Sequence, residues 1–354
     1  MGPDPTESSS VGSGNELERM IWGWDKSWLP SPGLALRNID KKEPTQLKIL
    51  VTGGAGYIGT TLCPTLLADG HEVTVLDSFL WGVKPILHFS THPKLRIVGK
   101  DIRETGVLAE EIPQHDAVIH LAAIVGYPAC ARDENLAQST NVDATRELCR
   151  LVTPSQVLLF ASTGSTYGQV EDGLATEETP INPLTLYGRT KRDCEPLVRE
   201  KGGVCLRFAT VFGVSPRLRL DLLVNDFCYQ AYHNKVIIVF EGSHRRTFLH
   251  VRDAAAAYPF ALDNIEQMRG EVYNVGSPEL NFTKIDVARA IRERADYYLH
   301  EADIGEDADK RNYAVCYRKI GKLGYCAEVS LQQGIDELLR VVPYITVRNE
   351  WRNA

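Results

Sequence analysis

The chain has 354 residues, 44% hydrophobic and 24% charged, enough apolar material for one large or two moderate cores. A net charge of −7 sets the mean field against polyanions, which argues against charge-driven binding to nucleic acid or an anionic membrane. The opening stretch carries no charged-then-apolar leader and no apolar run reaches the roughly 18 residues that span a bilayer, so a cytosolic protein is expected.

Residues 1–45 read as an N-terminal extension. Its first fifteen, MGPDPTESSSVGSGN, hold too little apolar surface to offset chain entropy and are expected to be disordered. Trp22, Trp24 and Trp28 follow within seven residues. Docking on the body of the same chain is the preferred reading, with a subunit anchor or a cover over the substrate mouth as the alternative.

From Leu47 short apolar runs alternate with helical stretches, the pattern of βαβ units and a parallel sheet. Strands are predicted at 47–51, 72–76, 95–98, 117–122, 157–161 and 204–208, with helices at 58–68, 135–152 and 186–200. The expected fold is α/β, a doubly wound (Rossmann) parallel sheet over 46–210 with a smaller α/β lobe over 211–345, interleaved with the first domain. In that lobe helices are predicted at 221–233, 252–264, 283–294 and 330–340, and short strands at 236–240 and 272–275. Eight scattered cysteines without a Cys-x-x-Cys pair indicate reduced thiols, with neither a zinc site nor a disulfide framework.

The stretch KILVTGGAGYIGTTL puts Gly53, Gly56 and Gly59 after the first strand and at the opening of a helix. Glycines there permit a tight turn and a close backbone approach, and the helix N-terminus offers free N–H groups to a pyrophosphate. Asp77 ends the second strand, where a carboxylate accepts from both ribose hydroxyls and repels a 2′-phosphate, so NAD is preferred over NADP. Pro64 falls inside the helix and is expected to kink it or to strand a carbonyl.

In LYGRTK, Tyr187 and Lys191 stand four apart on one helical face. A phenol is a poor base at neutral pH until an adjacent ammonium lowers its pKa. Upstream, STGSTYG (residues 162–168) closes an apolar run with small hydroxyl residues suited to a polar substrate.

With TGGAGYIG, Asp77, GKDIR, HLAA, TNVDAT, STGSTYG, YGRTK, RRTFLHVRD and VYNVGS in this order, residues 47–340 resemble the extended short-chain dehydrogenase/reductase family. In particular they resemble its nucleotide-sugar epimerases and dehydratases, a group that includes UDP-glucose 4-epimerase. The resemblance implies bound NAD, a nucleotide-diphosphate sugar as substrate and a homodimer. It makes Thr163 the hydrogen-bond partner of the reacting hydroxyl, Tyr187 the base and Lys191 the holder of the nicotinamide ribose, with Ser162 behind them. The cofactor would lie along Gly53, Gly56, Tyr57, Ile58, Gly59, Asp77, Asp101, Ile102, Leu121, Ala122 and Ala123, besides Tyr187 and Lys191. Thr163, Ser165, Thr210, Arg217, Asn225 and Arg246 would meet the substrate, with Arg246 on its diphosphate. Phe240, Tyr127 and Arg311 are further candidates for the nucleotide or the sugar, and no metal is implied.

Dehydratases of this group supply an Asp and a Glu directly after the threonine, whereas this chain has Gly164 and Ser165. Glycine offers no side chain, and an unassisted serine is neither acid nor base near pH 7. A redox-neutral epimerisation at C4 is the expected reaction. A 4-ketoreductase or dehydrogenase would use the same residues in one direction, and a non-catalytic dinucleotide sensor is the third reading.

Overall fold

Val, Ile and Leu dominate the inner predicted strands, which suits strands covered by helices on both sides. The computed structural model describes residues 46–302, 312–346 and 351–353. Its central sheet holds β1 (Lys48–Thr52), β2 (Glu72–Asp77), β3 (Leu95–Gly99), β4 (Ala117–His120), β5 (Val157–Thr163), β7 (Val204–Phe208) and β11 (Val272–Val275). All seven run parallel in the order β11-β7-β5-β4-β1-β2-β3. The order reverses between β1 and β4, the switch point at which such sheets open a crevice beyond their C-terminal ends.

Alternation along the strands feeds two cores. Ile49, Val51 and Leu159 face one, with α1 (Gly59–Ala68) packed over them, while Leu50, Leu158 and Phe160 face the other. That second face is covered by α2 (Ala144–Leu151) and α3 (Leu186–Glu200) through Leu148, Cys194 and Val198. The predicted helix over 135–152 is interrupted: Glu134–Gln138 passes through a π turn at Ser139–Asp143 before α2. α1 runs on through Pro64, which has no N–H to give the Thr60 carbonyl one turn earlier.

The lobe is built from α4 (Leu223–His233), α5 (Val251–Asp263), α6 (Lys284–Arg292) and α7 (Leu331–Val341), each within about two residues of its predicted bounds. Its strands are β8 (Thr210–Phe212), β10 (Arg245–His250) and β12 (Asn281–Thr283) in one sheet, and β9 (Val236–Phe240) with β13 (Tyr298–Ala302) in another. β6 (Gln169–Ala175) and β14 (Asn312–Val315) pair separately. Phe212, Phe248 and Ile335 centre the lobe's own core. Two elements within 211–345 pack with the central sheet and its cores. β11 completes the central sheet beside β7, because all four of its residues are buried, and α5 packs on the α1 face through Ala254 and Tyr258. Trp22, Trp24, Trp28 and Arg311 lie outside the described residues.

Candidate active site

The turn after β1 is shaped by what its glycines exclude. Gly53 has φ +73°, and a Cβ there would lie 2.6 Å from the Ala122 backbone nitrogen. A Cβ on Gly59 would come within 2.6 Å of Gly54 Cα, so α1 opens directly against the loop and its first residue stands in the wall of the crevice, with the positive end of the helix dipole toward it. Gly54, which the motif reading did not single out, is held as tightly: its Cβ would meet Val75 Cγ2 at 2.8 Å. The Asp77 carboxylate accepts from Ala55 N at 3.0 Å and from Phe79 N at 2.8 Å. Burial pushes its pKa up, and those two N–H groups oppose the shift. This is a cradle with backbone donors for a pyrophosphate and an acid one strand away for a ribose, and it fits NAD.

A cleft of about 690 Å³ runs from this loop across the ends of β4 and β5. Gly53, Gly56, Tyr57, Ile58, Gly59, Asp77, Asp101, Ile102, Leu121, Ala122 and Ala123 all line it. So do Thr163, Ser165, Tyr187, Lys191, Thr210 and Arg217. Asp101 is gripped by Arg103, whose Nη2 donates at 2.7 Å and holds the carboxyl below its usual range. The Tyr57 hydroxyl donates to Gly213 O at 2.7 Å and its carbonyl accepts from Ser215 Oγ at 2.7 Å, so this side chain ties the phosphate loop to the lobe.

Thr163 ends β5 and sets the next turn. Its Oγ1 accepts from Ser165 N and donates to Ser165 Oγ, both at 3.1 Å. Thr185 caps α3 by accepting from Gly188 N, and a Cβ on Gly188 would lie 2.9 Å from Ser165 O. The first turn of α3, with Tyr187, is thereby pressed against the Thr163–Ser165 turn. One turn on, Lys191 is buried with its Nζ 4.5 Å above the Phe160 ring. Burial pushes its pKa down to about 8. His120, bonded to Thr52 and Thr145, has its pKa pushed down to about 3 by burial and then by Lys191, so it stays neutral.

On the lobe side, Arg217 stacks 4.7 Å from the Trp81 ring and donates through Nη2 to Asn353 Oδ1 at 3.1 Å. Burial and the neighbouring Arg219 push its pKa down to about 10, and its Nε has no hydrogen-bond partner among the described residues. Arg219 is itself paired with Asp221. Two expected substrate contacts stand elsewhere. The Asn225 amide is absorbed by Gly213 N, Gly213 O and Arg219 O, and Arg246 is buried on β10; neither lines the cleft. Phe240 is likewise outside the lining, whereas Tyr127 is in it.

Sequence reasoning missed Trp81, Arg103 and Asn353, all in the wall. The aromatic in SFLWG just past Asp77 was a usable signal, but Asn353 reaches the cleft only through the fold. A second depression of about 670 Å³, lined by Lys48, Glu72, Lys94, Arg96 and His115, holds none of the motif residues. Among the described residues no cluster of three or more His, Cys, Asp or Glu could hold a metal, and no helix is long and apolar enough to cross a membrane.

A model of the NAD dependent epimerase/dehydratase family matches residues 49–276, and the chain belongs to this family of enzymes, whose cofactor is NAD. It is similar to UDP-glucuronic acid decarboxylase 1 of Xenopus tropicalis, 29% identical over 316 residues, 84% of this chain and 72% of that one. A UDP-glucuronic acid 4-epimerase from Bacillus cereus, in complex with UDP-glucuronic acid and NAD, matches with TM-score 0.72 and 27% identity, covering 84% of this chain and 99% of that one. DesIV, the dTDP-glucose 4,6-dehydratase of Streptomyces venezuelae, matches with TM-score 0.73 and 26% identity over 84% and 96%. A decarboxylase, an epimerase and a dehydratase stand side by side here, so membership alone does not choose the reaction.

Proposed function

We propose that the protein is a nucleotide-sugar epimerase acting at C4 through a 4-keto intermediate. The observation that carries this reading is the Gly164–Ser165 pair. No carboxyl follows Thr163, and a Cβ on Gly164 would already stand 3.2 Å from the Tyr313 hydroxyl, so an acid there would meet a wall. Elimination of the C6 hydroxyl then lacks its acid and base.

NAD held along the glycine turn and Asp77 would supply the hydride acceptor at C4 and, in its reduced form, the donor to the opposite face of the keto sugar. Thr163 holds the C4 hydroxyl and Tyr187 takes its proton. Lys191 favours the phenolate by charge and holds the nicotinamide ribose. Arg217, which lines the cleft and whose Nε has no partner among the described residues, meets an anionic part of the substrate. Asp77→Ala is expected to weaken NAD binding roughly 10–100-fold and to narrow the preference over NADP, read by calorimetry with each dinucleotide. A homodimer and a cytosolic location belong to the same proposal and rest on the resemblance and the composition.

Incubation with UDP-, GDP-, CDP- and dTDP-sugars in deuterated water, followed by NMR, tests the reading. Epimer formation without deuterium uptake is the expected result, and a 4-keto-6-deoxy product overturns it. Decarboxylation is the second reading, favoured by the similarity to UDP-glucuronic acid decarboxylase 1. Oxidation of a uronate at C4 creates a β-keto acid that loses carbon dioxide without a further acid or base. UDP-glucuronic acid in the same experiment separates the two, since decarboxylation leaves a pentose carrying deuterium at C5.

A further inference from the structure

Thr163 sits on a strand, and Tyr187 with Lys191 on a helix, so the spacing of the three depends on what fixes α3 to β5. Ser162 and Arg207 are register partners on β5 and β7. Both reach the same carboxylate, that of Glu195, which lies one turn beyond Lys191. Ser162 Oγ donates to Glu195 Oε1 at 2.6 Å, Arg207 Nε donates to the same oxygen at 2.9 Å, and Arg207 Nη2 donates to Oε2 at 2.7 Å. Arg207 Nη1 donates to the Tyr167 hydroxyl at 2.9 Å, which donates to Asn274 Oδ1 at 2.7 Å, and Asn274 Nδ2 donates to Cys316 O at 3.2 Å. Ser162, Glu195, Arg207, Tyr167 and Asn274 are all at least nine-tenths buried.

We propose that Glu195 is a positioning residue for the reaction, holding Ser162, and with it the Thr163 end of β5, at a set distance from the Tyr187–Lys191 face of α3. This rests on the roles given above to Thr163, Tyr187 and Lys191. Apolar side chains of the same volume would fill the space as stably as a buried ion pair. What they lack is direction: three hydrogen bonds to one carboxylate fix a helix against two strands in rotation as well as in distance. Ser162 lines the cleft, yet its proton is committed to Glu195, so it offers the substrate only an acceptor.

The test uses the NAD-loaded full chain and its Ser162→Ala, Glu195→Gln, Glu195→Asp and Tyr187→Phe variants. UDP-glucose and UDP-glucuronic acid are the probes, and the rise at 340 nm on mixing gives the single-turnover rate per folded, NAD-loaded site. Ser162→Ala and Glu195→Gln are expected to lower that rate roughly 10–100-fold with KM within about twofold, as a misplacement near 1 Å does. Ser162→Ala removes one hydrogen bond to a buried carboxylate and should lower the unfolding midpoint by only a few degrees, leaving the chain folded in the assay, and Glu195→Asp should fall between Gln and the unaltered protein. Unchanged rates in Ser162→Ala and Glu195→Gln beside an inactive Tyr187→Phe overturn the positioning role alone. An active Tyr187→Phe overturns the reading of the site and this inference with it. Where Glu195→Gln fails to fold, Ser162→Ala decides, since it leaves the ion pair intact.

Discussion

Lys191→Met is expected to slow turnover severely and, at neutral pH, to make the cofactor-free protein more stable. The ammonium is buried in an apolar setting, and its pKa falls from the ordinary 10.5 to about 8 because burial penalises the charged form. A depression of that size corresponds to about 3 kcal/mol of unfavourable burial. Loss of the cation's contact with the Phe160 face returns ~1 kcal/mol, so a gain of about 2 kcal/mol remains. The sign follows from proton binding. Below pH 8 native and unfolded chains both hold the proton, and the native state bears the whole penalty. Between pH 8 and 10.5 only the unfolded chain holds it, so the unaltered protein gains stability as pH rises and the variant's advantage fades. Urea unfolding at pH 7 and at about pH 10.5 measures both limits. A variant less stable than its parent at pH 7 contradicts the account. Turnover should fall roughly 10²–10⁴-fold, because the neutral methionine cannot favour the phenolate of Tyr187. On the roles proposed for Tyr187 and Lys191, an exposed lysine would be stable and of no use to the phenol, so the proposal makes the burial penalty part of the site's chemistry.

What was legible in the chain was whatever depends on near neighbours. The strand–glycine–helix succession from Lys48 to Ala68, the acid at Asp77 and the four-residue spacing of Tyr187 and Lys191 are local patterns with local physical causes. The structure brings Asp77, Thr163, Tyr187 and Lys191 to one cleft because each ends a strand or opens a helix at the same edge of the sheet. Pairings across the fold were not legible. VYNV could close the central sheet or decorate the lobe on its composition, and only the edge of β7 left open beside β5 decides it. Polar residues near a cleft were also ambiguous: Asn225 looks like a ligand contact in DLLVND, but the turn at Gly213 takes its hydrogen bonds. Glu195 and Arg207 resemble surface charges of a helix and a strand until β5 and β7 pair and bury them.

Gly53→Ala is expected to be far more damaging than Gly56→Ala, although both glycines belong to one motif. At Gly53 two penalties combine. A φ of +73° costs an L-residue roughly 1–2 kcal/mol, and the new Cβ would stand 2.6 Å from Ala122 N and 2.8 Å from Ala122 Cα. Those are backbone atoms of the segment leaving β4, so relief requires β1 and β4 to separate beyond their last paired residues, Thr52 and His120. At Gly56 φ is not positive, and the nearest atom to a Cβ is Gly53 O at 3.1 Å, which a shift of a few tenths of an ångström accommodates. Gly53→Ala should lose about 3 kcal/mol or more of stability and be recovered without bound NAD. Gly56→Ala should stay folded, within about 1 kcal/mol of the parent, and bind NAD more weakly because its methyl crowds the loop's inner surface. Calorimetric unfolding and the dinucleotide content of each purified variant report the two effects separately. Equal losses would mean that the motif acts through loop flexibility, and the graded result ties it to the closeness of the phosphate loop and the β4 exit on which the cleft is built.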